Sequence, residues 1–201
     1  MSTKVKLCGL TRPEDIEVAN KLKPDYVGFV FWPKSRRALK PFEAAELRKE
    51  LSPDISAVGV FVDEDPDTIL SLVAAGTIQI IQLHGHESEE TIDWFHERTD
   101  APVWKAFKVR GPEDIAAAEA STADLVLLDN GYGTGEAFDW DLMEGVHRPY
   151  VLAGGLNPEN CEDAVTRFRP YGLDVSSGIE TDGLKDPEKM IDFVRRVRRL
   201  T

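Results

Sequence analysis

A single (β/α)8 barrel is the fold class that the sequence predicts, on three observations. Short apolar runs alternate with longer amphipathic ones from end to end, and eight such strand-then-helix cycles fit into 201 residues. Strands separated by helical segments imply a parallel sheet, and eight units close it naturally. The first strand runs into Cys8-Gly9-Leu10-Thr11. That is not the glycine fingerprint of an open doubly wound sheet, which more often has about five or six strands. No linker or low-complexity stretch divides the chain, so residues 1–201 are read as one domain.

The elements follow in order. Val5–Cys8 is strand-like, and Pro13–Leu22 is helical with Ile16, Ala19 and Leu22 on one face. Tyr26–Phe31 precedes Pro41–Leu51, Ala57–Val62 precedes Pro66–Ala75, and Ile78–Leu83 precedes Glu89–Arg98. Val103–Phe107 precedes Pro112–Ala120, and Leu125–Leu128 precedes a glycine-rich loop and a short helix near Trp140–Met143. Tyr150–Ala153 precedes Pro158–Phe168, and Leu173–Val175 precedes Pro187–Arg199. Thr11 with Glu14 reads as a capping box. Asp65-Pro66, Asn157-Pro158 and Asp186-Pro187 each place a cap residue before a proline at the first helical position. Arg195, Arg196, Arg198 and Arg199 close the last helix, where cations suit the negative end of the dipole.

Composition narrows the function. Hydrophobic residues make up 42% of the chain, as in an ordinary globular protein. The net charge of -12, from 36 acidic and 24 basic residues, argues against nucleic acid as a partner. It leaves room for a phosphorylated small molecule, which a few amides and one arginine can hold. The acidity reads either as a solvated surface or as adaptation to a salty cytoplasm. No apolar run is long enough to span a bilayer, and no secretory h-region is visible near Met1, so a cytoplasmic location is expected. Cys8 and Cys161 are too few for a disulfide framework, and no metal-type Cys/His spacing appears.

Active sites of parallel barrels lie at the C-terminal ends of the strands. Cys8 ends the first strand, and is either a small buried residue or a catalyst. Pro33-Lys34-Ser35-Arg36-Arg37 follows the second strand, and an arginine there suits two-point recognition of a carboxylate. Gln82-Leu83-His84-Gly85 ends the fourth, where His84 reads as a packed strand end or a site residue, with no second metal ligand at a suitable spacing. Asp129 ends the sixth and either caps the loop Asn130–Gly135 or does acid–base work. Gly154-Gly155 stands before the Asn157-Pro158 cap, and Asp174-Val175-Ser176-Ser177-Gly178 closes the eighth strand. Glycines admit an anion to the backbone, and barrels commonly bind phosphate between the loops after strands seven and eight.

Read together, the segments KLCGLT (Lys6–Thr11), VGFVFWPKSRR (Val27–Arg37), VGVFV (Val58–Val62), IQLHG (Ile81–Gly85), LLD (Leu127–Asp129), GTGEAFDW (Gly133–Trp140), LAGGLNPEN (Leu152–Asn160) and DVSSGIE (Asp174–Glu180) resemble the phosphoribosylanthranilate isomerase family. The match keeps order and spacing from the first strand to the last. The resemblance implies an enzyme of tryptophan biosynthesis, which carries out the Amadori rearrangement of N-(5-phosphoribosyl)anthranilate. It implies Cys8 as general base, Asp129 as general acid, Arg37 at the anthranilate end, and His84 lining the site. Asp174 is expected to bind substrate as well, and Gly154, Gly155, Ser176, Ser177 and Gly178 to hold the phosphate. The imine formed on ring opening is its own electron sink, so neither cofactor nor metal is expected. No membrane partner is expected, and the chain is read as a monomer or homodimer.

The acid–base pair sets a requirement: Cys8 must lose a proton and Asp129 must hold one, with neighbouring cations expected to favour the thiolate. The alternatives are another phosphosugar barrel enzyme, of the histidine-pathway isomerase or indoleglycerol phosphate synthase type, and a non-catalytic phosphosugar-binding barrel. Two loops depart from the family pattern, at Asn130-Gly131-Tyr132-Gly133-Thr134-Gly135 and at Thr181-Asp182-Gly183, and both are expected to be short covers of the site.

Overall fold

Successive side chains of a strand point to opposite faces, so a closed parallel sheet sorts its residues into an inner and an outer core. The computed structural model describes residues 2–129 and 145–200, and it has this arrangement. The order is β1 (Lys4–Cys8), α1 (Pro13–Leu22), β2 (Tyr26–Val30), α2 (Pro41–Glu50), β3 (Ser56–Phe61), α3 (Pro66–Ala74), β4 (Ile80–Leu83) and α4 (Glu89–His96). It continues with β5 (Val103–Lys108), α5 (Pro112–Ala120), β6 (Leu125–Asp129), β7 (Tyr150–Ala153), α6 (Cys161–Phe168), β8 (Gly172–Val175) and α7 (Pro187–Arg199). Strands β1 to β8 form one closed barrel in sequence order, and β1 pairs in parallel with both β2 and β8. The expected loop Asn130–Gly135 and helix near Trp140–Met143 lie outside the described residues.

The outer core packs helices against strands, with Phe29, Phe61, Phe95 and Phe193 fully buried in it. The inner core is smaller. Val58, Ile80, Trp104, Leu127 and Val151 plug the barrel, and Tyr26 and Tyr171 pack against them. The Tyr26 ring meets Trp104 edge-on at 5.0 Å, and the two tyrosine hydroxyls are 2.8 Å apart. Above this plug the inward positions turn polar: Lys6, Gln82 and Asp174 are all buried. Lys6 stands opposite Asp174 in the β1–β8 register, and Cys8 opposite Gly28 in the β1–β2 register. A side chain at Gly28 would meet the Cys8 sulfur at 2.6 Å, so this strand glycine makes room for the thiol.

Helix starts differ from expectation at two places. The first helix is not capped by a Thr11–Glu14 box. The Asp15 carboxylate accepts the Thr11 and Arg12 amides at 3.0 and 3.1 Å and pairs with the Arg12 guanidinium. Glu14 and Asp15 both sit in the first turn, and the buried one takes the cap. The helix after β7 starts at Cys161 instead of Pro158, because Asn157 accepts the Glu159 and Asn160 amides and holds a turn first. Asp65 and Asp186 cap as expected. The basic end of α7 serves the fold: Arg198 donates to the Leu22 and Lys23 carbonyls at the end of α1, while Arg196 and Arg199 pair with Glu162. No helix among the described residues is long and apolar enough to cross a membrane.

Candidate active site

The strand ends open into one cavity of about 1070 Å³. Cys8, Arg37, His84, Asp129, Gly154, Gly155, Asp174, Ser176 and Ser177 all line it. The thiol comes from β1 and the carboxyl from β6, three strands apart around the eight-stranded ring. Cys8 is 7% exposed, and Asp129 is half-buried with its Oδ2 3.4 Å from His84 Nε2.

Lys6 joins these groups beneath the cavity floor. Its ammonium donates to Gln82 Oε1 at 2.7 Å, to Asp174 Oδ2 at 2.9 Å and to the Cys8 sulfur at 3.5 Å. Gln82 Nε2 in turn lies 3.0 Å from His84 Nδ1. Asp174 Oδ1 is buried and has no hydrogen-bond partner among the described residues. A buried acceptor of that kind needs a donor, and this one faces the cavity.

The wall between β7 and β8 is built of backbone. Gly154 and Gly155 have φ of +85° and +64°, the left-handed region that glycine adopts without penalty. Ser177–Ile179 forms one turn of 3-10 helix, whose first amides have no partner within the turn. Gly178 does not line the cavity. A Cβ there would fall 1.9 Å from the Leu156 carbonyl oxygen, so Gly178 lets the two loops pack against each other. The Ser176 hydroxyl donates to the Cys8 carbonyl at 3.0 Å and is 3.3 Å from Lys185 Nζ, so it ties β8 to β1.

Arg37 reaches the cavity from the loop after β2. Its Nε and Nη2 donate to Glu180 at 2.6 and 2.9 Å, which leaves the Nη1–Nη2 edge of the guanidinium for a ligand. Glu180, 4% exposed at its side chain, also pairs with Arg36 and with the buried Lys185. Glu180 and Lys185 lie on a tight hairpin, β9 (Glu180–Thr181) and β10 (Leu184–Lys185). Asp182 and Gly183 both have positive φ, 52° and 82°, as a two-residue hairpin turn requires. The expected short cover after β8 is thus an ordered hairpin whose inner side anchors Arg37.

Comparison with known proteins now bears on this constellation. The family model for N-(5'-phosphoribosyl)anthranilate (PRA) isomerase matches residues 5–196. The chain belongs to that family. An N-(5'-phosphoribosyl)anthranilate isomerase of Thermoanaerobacter sp. (strain X514) is 43% identical over 97% of this chain and 98% of its own length. A crystal structure of phosphoribosyl anthranilate isomerase in complex with reduced 1-(o-carboxyphenylamino)-1-deoxyribulose 5-phosphate matches with a TM-score of 0.85. It is 36% identical and covers 98% of this chain and 99% of that one. Monomers of the dimeric enzyme from Thermotoga maritima match with a TM-score of 0.86 at 38% identity, over 98% of this chain and 99% of that one. The protein is therefore an isomerase, and the readings as another phosphosugar enzyme or a non-catalytic barrel are set aside.

For a PRA isomerase the state of the thiol matters, and cations of the kind expected stand beside it as Lys6 and Lys185. Burial pushes the Cys8 thiol above its ordinary range, and Asp174 pushes it further. Lys6 and Lys185 pull the other way without cancelling this. Burial thus favours the thiol form, with the cations that stabilise a thiolate already beside it. Lys6, Glu180 and Lys185 were not legible as site residues. For Lys6 the signal was weak but present: it is a charge set within an apolar strand, at Val5-Lys6-Leu7, as Asp174 is at Leu173-Asp174-Val175.

Proposed function

We propose that this PRA isomerase converts N-(5-phosphoribosyl)anthranilate to 1-(2-carboxyphenylamino)-1-deoxyribulose 5-phosphate with Cys8 as base and Asp129 as acid, as a step of tryptophan biosynthesis. The observation that carries the reading is a thiol and a carboxyl facing one cavity from strands β1 and β6, with anion-compatible loops on one side of it. Asp129 gives its proton to the ribose ring oxygen as the C1–O bond breaks, and the anthranilate nitrogen lone pair forms a protonated imine. The Cys8 thiolate takes the proton on C2. The C–H electrons become the C1–C2 double bond, and the imine electrons return to nitrogen. The enolamine then moves a proton from its C2 hydroxyl to C1 and becomes the ketone. Asp174 Oδ1 suits a sugar hydroxyl, and the outer edge of Arg37 suits the anthranilate carboxylate.

The assay is direct. Purified protein added to freshly made phosphoribosylanthranilate should speed the loss of its fluorescence. A rate no faster than the blank would remove the activity.

The phosphate is assigned to the wall formed by Gly154, Gly155, Ser176 and Ser177, while Gly178 serves the packing of the two loops. Gly155→Val should weaken both substrate and inorganic phosphate. At φ +64° a branched residue is strained and its side chain crowds the backbone that would meet the anion. A loss of roughly tenfold in each affinity corresponds to about 1.4 kcal/mol. Equal affinities in variant and parent, measured by calorimetry, would move the phosphate elsewhere.

A further inference from the structure

We propose that Lys6 is a positioning residue for the isomerisation, holding the Cys8 sulfur directly and aiming His84 at Asp129 through the Gln82 amide. This rests on the reading of Cys8 as base and Asp129 as acid. Lys6 is 1% exposed, and its three N–H groups are matched by three acceptors: Cys8 Sγ, Gln82 Oε1 and Asp174 Oδ2. With Asp174 alone it forms a neutral buried pair, so no other group is needed for charge balance. The third contact, to sulfur, is strengthened when the thiol ionises, because the bond becomes charge-assisted.

The second arm follows from donor counting. An ammonium only donates, so the Gln82 atom facing Lys6 must be the amide oxygen. The other end is then the NH2 group, which must donate to His84 Nδ1. A neutral imidazole with an accepting Nδ1 carries its proton on Nε2, the atom turned to Asp129 Oδ2. That N–H stabilises the carboxylate left after Asp129 has given its proton. While Asp129 is protonated, the same contact keeps the acidic proton on the other carboxyl oxygen. The chain does not carry protons from acid to base, because an amide holds its hydrogens. It transmits orientation, and both proton-transfer groups are set from one buried cation.

The groups facing Cys8 are Lys6 on its own strand, Asp174 on β8, Lys185 on β10 and Arg37 after β2, with Glu180 paired to the last two and to Arg36. The test reads Cys8 ionisation by ultraviolet thiolate absorbance in full-length protein with Cys161→Ala as background. Lys6→Met should move the thiol titration to higher pH by about one unit or more, the scale of losing a close opposite charge. The rising limb of kcat/KM should move with it. Lys6→Met leaves Asp174 buried without its partner and can fail to fold. The neutral double variant Lys6→Met/Asp174→Asn, compared with Asp174→Asn alone, carries the same comparison.

Nitrogen-15 shifts of the His84 ring provide the second readout. The expected form is protonated on Nε2, and Gln82→Leu should relax this preference while lowering kcat more than it changes KM. An unmoved thiol titration overturns the Lys6–Cys8 arm, and an Nδ1-protonated His84 in the parent overturns the Gln82 arm. A thiol that shifts while the kinetic limb stays in place overturns the reading of Cys8 as base, and the catalytic purpose of Lys6 with it.

Discussion

Replacing Cys8 with alanine should lower kcat by at least ~10²-fold, the usual scale for a lost proton-transfer group. Asp129→Asn should do the same, and the two effects should not add, because in the proposed reaction the proton on C2 becomes acidic only after Asp129 has opened the ring. Binding of a reduced, unreactive product analogue stays within a fewfold of the parent in both variants. The cavity is lined by many residues besides these two, and neither substitution changes its size by more than a few atoms. The free-enzyme pH profile carries a further sign. A base acts when deprotonated, and Cys8 is held above the ordinary thiol range by burial and Asp174. Because Asp129 must also hold its proton, the kcat/KM of the parent should follow a bell-shaped pH profile. Near-full turnover by Cys8→Ala would make the thiol a packing residue.

Glu180→Ala should cause a large loss of stability. One buried carboxylate compensates Arg37, Arg36 and the buried Lys185. Removing the partner of the buried Lys185 costs roughly 3–5 kcal/mol. For a chain of this size that lowers Tm by roughly 6–20 °C. The hairpin of β9 and β10 loses its inward anchor at the same time, so KM for substrate rises as Arg37 loses its orientation. The pH dependence has a definite direction. Burial pushes the Glu180 carboxyl up, but Arg37 and Lys185 together hold it below its ordinary value. A carboxyl depressed in the folded state contributes stability above its unfolded pKa of about 4.3, and loses it as pH falls through the folded value. The gap in unfolding free energy between parent and Glu180→Ala is therefore widest near neutrality and closes in acid. Denaturant melts at neutral and acidic pH measure it. A gap below ~1 kcal/mol at neutral pH would show that the cations find other partners.

The barrel itself was legible in the chain because its signals are local. Apolar runs, proline-marked helix starts and the absence of a dinucleotide fingerprint each involve a few adjacent residues, and the closed order of eight strands agrees with them. Boundaries moved where a competing local contact won, as when Asp15 took the cap read for Thr11 and Glu14, and when Asn157 held a turn before α6. Strand-end position drew attention to Cys8, His84 and Asp129, since parallel barrels deliver side chains there. What the chain could not show by itself were the partners. Lys6 and Asp174 are 168 residues apart, and Lys6 and Gln82 are 76 apart. Only closure of β1 against β8, and the inward turn of β4, bring three buried polar groups within reach of one ammonium. The same holds for Arg37 and Glu180, separated by 143 residues and joined by a hairpin that looked like a short loop. Residue type and strand position marked which side chains line the cavity. The thiol's balance between its two forms depends on burial and on groups such as Asp174 and Lys185, because electrostatic energy depends on distance in space and on the surrounding dielectric and not on distance along the chain.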